Sequence, residues 1–284
     1  APSVVAIAVF VYGFIAFNGY SSLVKWNSLL PDFTFVGLRN YQKLFTLARF
    51  QIDVRNMLTF IGLFIPVCLA IGFVLAVLLD QRVKGEGLFR SIFLLPMAIS
   101  AIVTGVVWRW LMSPGTAETG SYGINLLLEQ IGLGFLKSGW YTDPQFGIKA
   151  VVIAAAWQMS GYTMAMYLAG LRGIPEELRE AARIDGASEL QIYRHVVLPL
   201  LRPITFSAAI ILGQIALNIF ALVVAMTGPG PGFATDVPAL FMFDTTFRGG
   251  NFAMGAAIAT IMLLLVLGLV VPYLIHTFRS EVQV

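Results

Sequence analysis

The chain has 284 residues, 58% of them hydrophobic and 12% charged, where soluble globular domains carry roughly 45–50% apolar and about 25% charged residues. Eighteen Lys and Arg against fifteen Asp and Glu leave a net charge of +3 with no basic block, so neither a water-soluble domain nor a nucleic-acid surface fits. One cysteine, Cys68, lies in an apolar run and excludes an internal disulfide.

Stretches free of Asp, Glu, Lys and Arg run over 1–24, 56–79, 91–108, 150–171, 203–235 and 249–278. A helix rises about 1.5 Å per residue, so about 20 apolar residues cross a hydrocarbon core of roughly 30 Å. All six stretches qualify, the third narrowly. Lipid obliges each segment to satisfy its own backbone groups, and none of these runs alternates as a barrel strand does. The expected fold is therefore all-α, a polytopic membrane protein with six transmembrane helices, residues 1–284 forming one domain. The first stretch has no charged leader and is longer than a typical signal core. With no small-residue cleavage site at Asn18-Gly19-Tyr20, it is expected to be a span and not a signal.

With six spans, the connections after the second and fourth lie on one side with the C-terminus. They hold Arg82, Lys84, Arg90, Arg172, Arg179, Arg183, Arg194, Arg202 and Arg279, half of the eighteen cations in much shorter loops. The denser positive charge assigns that side to the cytoplasm.

In the third span Ser100 and Thr104 share a face, and Arg109, between Trp108 and Trp110, reads as an interfacial anchor whose long stem reaches back to water. Trp157, Gln158, Ser160 and Tyr162 cluster in the fourth. Ser207, Gln214 and Asn218 fall on one face of the fifth, spaced by seven and then four residues. Neutral amides with aromatic faces nearby suit a polyhydroxylated, uncharged solute. The same amides read equally well as packing hydrogen bonds between helices, which average roughly 0.6 kcal/mol each.

Residues 173–202 form the most informative soluble stretch. Pro175 suits the first helical position, and Glu176 and Glu177 place negative charge at the positive end of the helix dipole. Gly186 ends that helix where a positive φ is tolerated. Ser188 followed by Gln191 matches a capping box that restarts a helix, and Pro199 stops it at Leu198. The expectation is an amphipathic hairpin whose apolar face nothing in the chain covers. It serves as a solvated or lipid-lying connector or as a docking element.

No phosphate loop, nucleophile elbow or zinc-binding helix motif is present, and His195 and His276 are far apart in sequence without neighbouring ligands. No carboxylate is left inside the six stretches, which argues against a proton- or sodium-coupled carrier. Such a secondary transporter remains the alternative transport reading, and a membrane scaffold tethering a cytoplasmic protein the non-transport one. On the external side, 113–147 and 228–248 carry Trp140, Tyr141, Phe233 and Phe241. These read either as a landing surface or as an ordinary aromatic belt.

The string Glu180-Ala181-Ala182, Asp185-Gly186-Ala187 and Leu198-Pro199 resembles the EAA signature of the permease subunits of bacterial ABC importers. The wider EELREAARIDGASELQIYRHVVLPLL is similar to the carbohydrate branch, which contains the maltose and glycerol-3-phosphate permeases. Further similarity lies at Gly37-Leu38-Arg39-Asn40-Tyr41, Phe89-Arg90-Ser91, Leu95-Pro96, Gly123-Ile124-Asn125 and Met226-Thr227-Gly228-Pro229-Gly230-Pro231-Gly232, so the resemblance spans essentially the whole chain. It implies a multi-pass subunit of the bacterial cytoplasmic (inner) membrane. The implied partners are a second homologous permease, two cytoplasmic nucleotide-binding subunits that use ATP and Mg, and an external solute-binding protein that delivers a sugar. On this resemblance the chain has no catalytic residue, metal or cofactor of its own. Glu180, Ala181, Ala182, Asp185, Gly186 and Ala187 would couple to the ATPase, and Ser207, Gln214, Asn218, Trp157, Gln158 and Tyr162 would line the path. The chain lacks the extra N-terminal helices and the large external insert of the larger maltose permease subunit.

Overall fold

A computed structural model describes residues 2–81, 84–116, 118 and 120–281. Arg82 and the side chains of His276 and Arg279, all considered above, lie outside what is described. In chain order the helices are α1 (Val4–Ser21), α2 (Arg39–Thr46), α3 (Ala48–Asp80), α4 (Glu86–Ala98), α5 (Ala101–Leu111), α6 (Gly123–Gln130), α7 (Gly147–Arg172), α8 (Glu176–Ile184), α9 (Glu189–Leu200), α10 (Arg202–Leu217), α11 (Phe220–Met226), α12 (Pro238–Phe243) and α13 (Phe252–Glu281). The described residues form no strand, only isolated bridges.

The centre is the parallel pair α3 and α7. Gly72 of α3 lies so close to α7 that an added Cβ would come within 2.2 Å of Thr163 Oγ1. The Thr163 hydroxyl donates to the Cys68 carbonyl at 2.8 Å. A small residue opposite a hydroxyl is how packed helices approach closely where lipid gives no hydrophobic drive. Gly161 of α7 does the same for α4, facing the Phe93 carbonyl at 1.9 Å from its would-be Cβ. α10 packs on α3, α11 on α5, and α13 on α1, α10 and α12. Asn18 of α1 donates to Ala256 O and Thr260 Oγ1 of α13 at 3.2 and 3.0 Å.

Helices α1, α3 and α13 are each long and apolar enough to cross a membrane, and two bent pairs would raise the number to five. α7, 26 residues long, is not among them, yet 15 of those residues are buried. Neighbouring helices, rather than its own apolarity, shield its polar groups.

Two expected spans are interrupted. The stretch 91–108 is two helices, α4 and α5, meeting at 97°. Ile99 and Ser100 are extended, and Ser100 caps α5 by accepting a hydrogen bond from the Val103 N–H at 3.3 Å. The orphan Ile99 carbonyl accepts from Gln158 Nε2 at 2.7 Å. The stretch 203–235 breaks at Asn218 and Ile219, between α10 and α11.

The soluble hairpin also differs in detail. Pro175 is the residue before α8, not its first. α9 does not stop at Leu198 but runs on to Leu200 before bending 64° into α10. A wider π-type turn at Tyr193–Val197 places Pro199 in the first turn of a new α-helical segment, where no hydrogen bond is lost by its missing N–H.

Candidate functional site

One end of the bundle gathers the C-termini of α3 and α7, the start of α4, and the hairpin α8–α9. Gly186 makes the elbow between the two short helices at φ +83°, a conformation that L side chains rarely adopt. The capping box is present, with the Ser188 N–H donating to Gln191 Oε1 at 2.8 Å. Ala182, Asp185, Gly186 and Ala187 line a notch of about 370 Å³ with Gln191 and His195. His195, exposed, pairs through Nδ1 with the Gln191 carbonyl at 3.0 Å. Glu180 and Ala181 lie outside the notch and are exposed, and Glu180 has no ion-pair partner among the described residues.

No residue of α8 is buried. Ile184 is 87% exposed and Leu190, opening α9, 79%. Behind this face the second helix is anchored by Ile192 and Val197, which join Leu79, Leu168 and Leu171 in one apolar cluster. Arg183 bridges Glu176 and Glu189 within the hairpin at 3.3 and 2.8 Å. The Arg183 guanidinium hydrogen-bonded to Glu189 holds that carboxyl below the ordinary carboxylate range. Arg179 points the other way, toward Asp80 at the end of α3, 3.1 Å away.

The residues expected to line a path separate into two groups. Gln214 and Asn218 are both exposed, and Asn218 sits at the end of α10, its Nδ2 donating to the Gln214 carbonyl at 3.0 Å. Ser207, half-buried, donates back to Pro203 O at 3.0 Å. On α7, Trp157 packs edge-on to Trp108 and lines an apolar groove of about 580 Å³ with Phe93, Pro96 and Ser160. Gln158 is engaged at the α4–α5 bend. Tyr162 is half-buried, four residues from Gln158 on the same helix face. Thr104, expected to share a polar face with Ser100, is buried with its hydroxyl unpartnered among the described residues.

At the opposite end lies an arrangement that the sequence reading missed. Arg49, at the start of α3, donates through Nε to Asp236 at 2.6 Å and through one terminal nitrogen to Asp244 at 2.7 Å. Its guanidinium lies over the rings of Phe233 and Phe241, 4.9 and 4.6 Å from their centroids. Asn56 donates to the Phe233 and Asp236 carbonyls at 2.8 and 3.0 Å. Asp53 is fully buried, with no donor of its own among the described residues. It lies just outside the charge-free stretch that was read as the span, yet inside helix α3. Phe233 and Phe241 therefore serve this clamp, and Trp140 donates from Nε1 to Asn125 at 2.8 Å. Phe233, Phe241 and Trp140 are thus each engaged within the chain. Nothing in the sequence pairs position 49 with 236, because 187 residues separate them.

A bundle of long apolar helices with a polar elbow at one end is the architecture of a helical membrane protein. The chain belongs to the binding-protein-dependent transport system inner membrane components, whose family model matches residues 68–282. It is 44% identical to a probable ABC transporter permease of Pyrococcus horikoshii over 280 residues, 99% of this chain and 94% of that protein. It is 35% identical to a xylose/arabinose import permease of Haloferax volcanii, covering 97% of this chain and 86% of that one. With a trehalose/maltose transport system permease of Thermococcus litoralis it shares 31%, over 99% and 92% of the two chains. A solved chain from a bacterial ABC transporter that imports the polysaccharide alginate has the same fold, with a TM-score of 0.77 at 20% identity, covering 99% of this chain and 92% of that one. The protein is thus an inner-membrane permease subunit of an ABC importer, a class in which ATP hydrolysis is carried by a separate subunit.

Proposed function

We propose that this subunit forms part of the translocation path for a sugar delivered by an external solute-binding protein. It works beside a second homologous permease and two cytoplasmic nucleotide-binding subunits that consume ATP and Mg. Residues 1–284 act as one permease domain crossing the membrane six times. The third crossing is bent at Ile99 and the fifth broken at Asn218, while the fourth, α7, is sheathed by its neighbours. Similarity to permeases named for xylose/arabinose and trehalose/maltose supports a sugar as the solute.

The observation that carries the reading is the outward face of the 173–202 loop. Glu180 without an ion-pair partner among the described residues, exposed Ile184 and Leu190, and the notch at Gly186 together present an apolar surface with a polar rim. An apolar surface rimmed by polar residues is the mark of an interaction site. Closure of the ATPase pair draws the two elbows together and turns the helices, opening the cavity outward, and release of ADP reverses the motion. Gln214 and Asn218 are exposed amides on a spanning helix, a position that suits a lumen or a second permease better than lipid. With Ser207, and with Trp157, Gln158 and Tyr162 across the bundle, they are assigned to the path.

Ile184→Asp tests the reading. The substitution removes nothing from the protein's own core, so the permease should still accumulate in the membrane while the ATPase subunit no longer co-purifies with it. Undiminished co-purification would remove the elbow from the mechanism.

A further inference from the structure

Arg179 is the side chain that α8 turns toward the bundle. Its Nη1 donates to Asp80 at 3.1 Å and its Nη2 to the Leu171 carbonyl at 3.3 Å, so one guanidinium holds the C-terminal ends of both α3 and α7. The two ionic side chains are only 13% and 12% exposed, and Arg179 Nε is buried without a partner among the described residues. Clefts of about 640 and 860 Å³ open beside the pair, one toward Glu189 and Tyr193 and the other toward Glu86 and Arg172, and Asp80 and Arg179 line both. α8 therefore spans a gap, fixed across it by a planar fork, with Ala182 the one α8 side chain packed against the apolar cluster behind it.

The geometry points to Arg179 as a positioning residue for transport: its pair with Asp80 is the strut through which displacement of the elbow reaches α3, and through the Leu171 carbonyl α7. This inference rests on the proposed seating of the ATPase at the elbow. A guanidinium fixes direction as well as distance, since its donors lie in one plane. Any shift of α8 that α3 did not follow would leave the guanidinium and Asp80 unpaired in a poorly solvated place. α3 then carries the motion as a unit, because Gly72 locks it against α7. The other ion pairs of the hairpin, Arg183 with Glu176 and Glu189, stay within it and open to water, so they transmit nothing to the bundle.

The test uses the full complex in proteoliposomes with the external receptor, supplied in turn with radiolabelled maltose, trehalose, xylose and arabinose. Asp80→Asn should lower the sugar taken up per ATP hydrolysed by roughly tenfold, with the ATPase subunit still bound. Exchanging the charges, Asp80→Arg with Arg179→Asp, should recover most of that ratio. In a second measurement Asp80→Cys and Arg179→Cys are joined by a bismaleimide, and native Cys68, being buried, does not compete. Uptake should survive that cross-link, because a strut does not open during the cycle. An unchanged ratio in Asp80→Asn, loss of the ATPase subunit from that variant, or block of uptake by the cross-link would each overturn the proposal. Failure of the underlying reading is visible separately, as an Ile184→Asp complex that keeps its ATPase.

Discussion

The two ends of α3 are both held by arginine, yet in different ways. At its N-terminal end Arg49 meets two carboxylates and two aromatic rings, with Asp236 fully buried and Asn56 fixing the same loop by its backbone. At its C-terminal end Arg179 meets one carboxylate and one carbonyl, with open clefts on either side. The first contact has several supports around one loop and behaves as a fixture. The second ties three helices together with one guanidinium and behaves as a strut.

The largest expected effect is at the fixture. Asp236→Ala strips Arg49 of its fully buried partner but leaves Asp244, so the cost should fall at the low end of the range of about 3–5 kcal/mol for breaking a buried pair from one side. Thermal unfolding of the detergent-purified subunit should show the loss directly, and a melting point like that of the parent protein would erase the contrast. Asp80→Asn should cost less, about 1–2 kcal/mol, because the amide oxygen can still accept from Arg179. A shift as large as that of Asp236→Ala would make the strut a second fixture.

The smallest effect concerns the hairpin alone. Glu189 is held below its ordinary range by Arg183, so the pair's support is fully present above the unfolded carboxylate value of about 4.3 and fades as pH falls through the lower folded value. Between pH 7 and 5 the elbow should not loosen, as read by the mobility of a spin label at position 187. Loosening within that window would mean that another group sets the hairpin's stability.

Much of this was legible in the sequence. The elbow was, down to the positive φ of Gly186 and the pairing of Ser188 with Gln191, because caps and turns are local and their signals lie within a few residues. The α4–α5 bend was not, since the charge-free run 91–108 reads as one span, and the turn of 97° is held by Gln158, donated by a helix 59 positions away. Counting charge-free runs concealed the outer clamp, since Asp53 and Asp236 fall just beyond the boundaries such a count draws. Of the α10 group, Gln214 and Asn218 are exposed and Ser207 is half-buried, whereas Gln158 is already engaged, and no spacing rule in α7 could have foretold it.

The modest apolarity of α7 bears on how the protein is made. A segment carrying Gln158, Ser160, Tyr162 and Thr163 gains little from lipid by itself, and what compensates it is the surface of α3 and α4. Both of those precede it in the chain. Because synthesis runs from the N-terminus, that surface is made before α7 is, and the order of the chain places the shelter ahead of the segment that needs it.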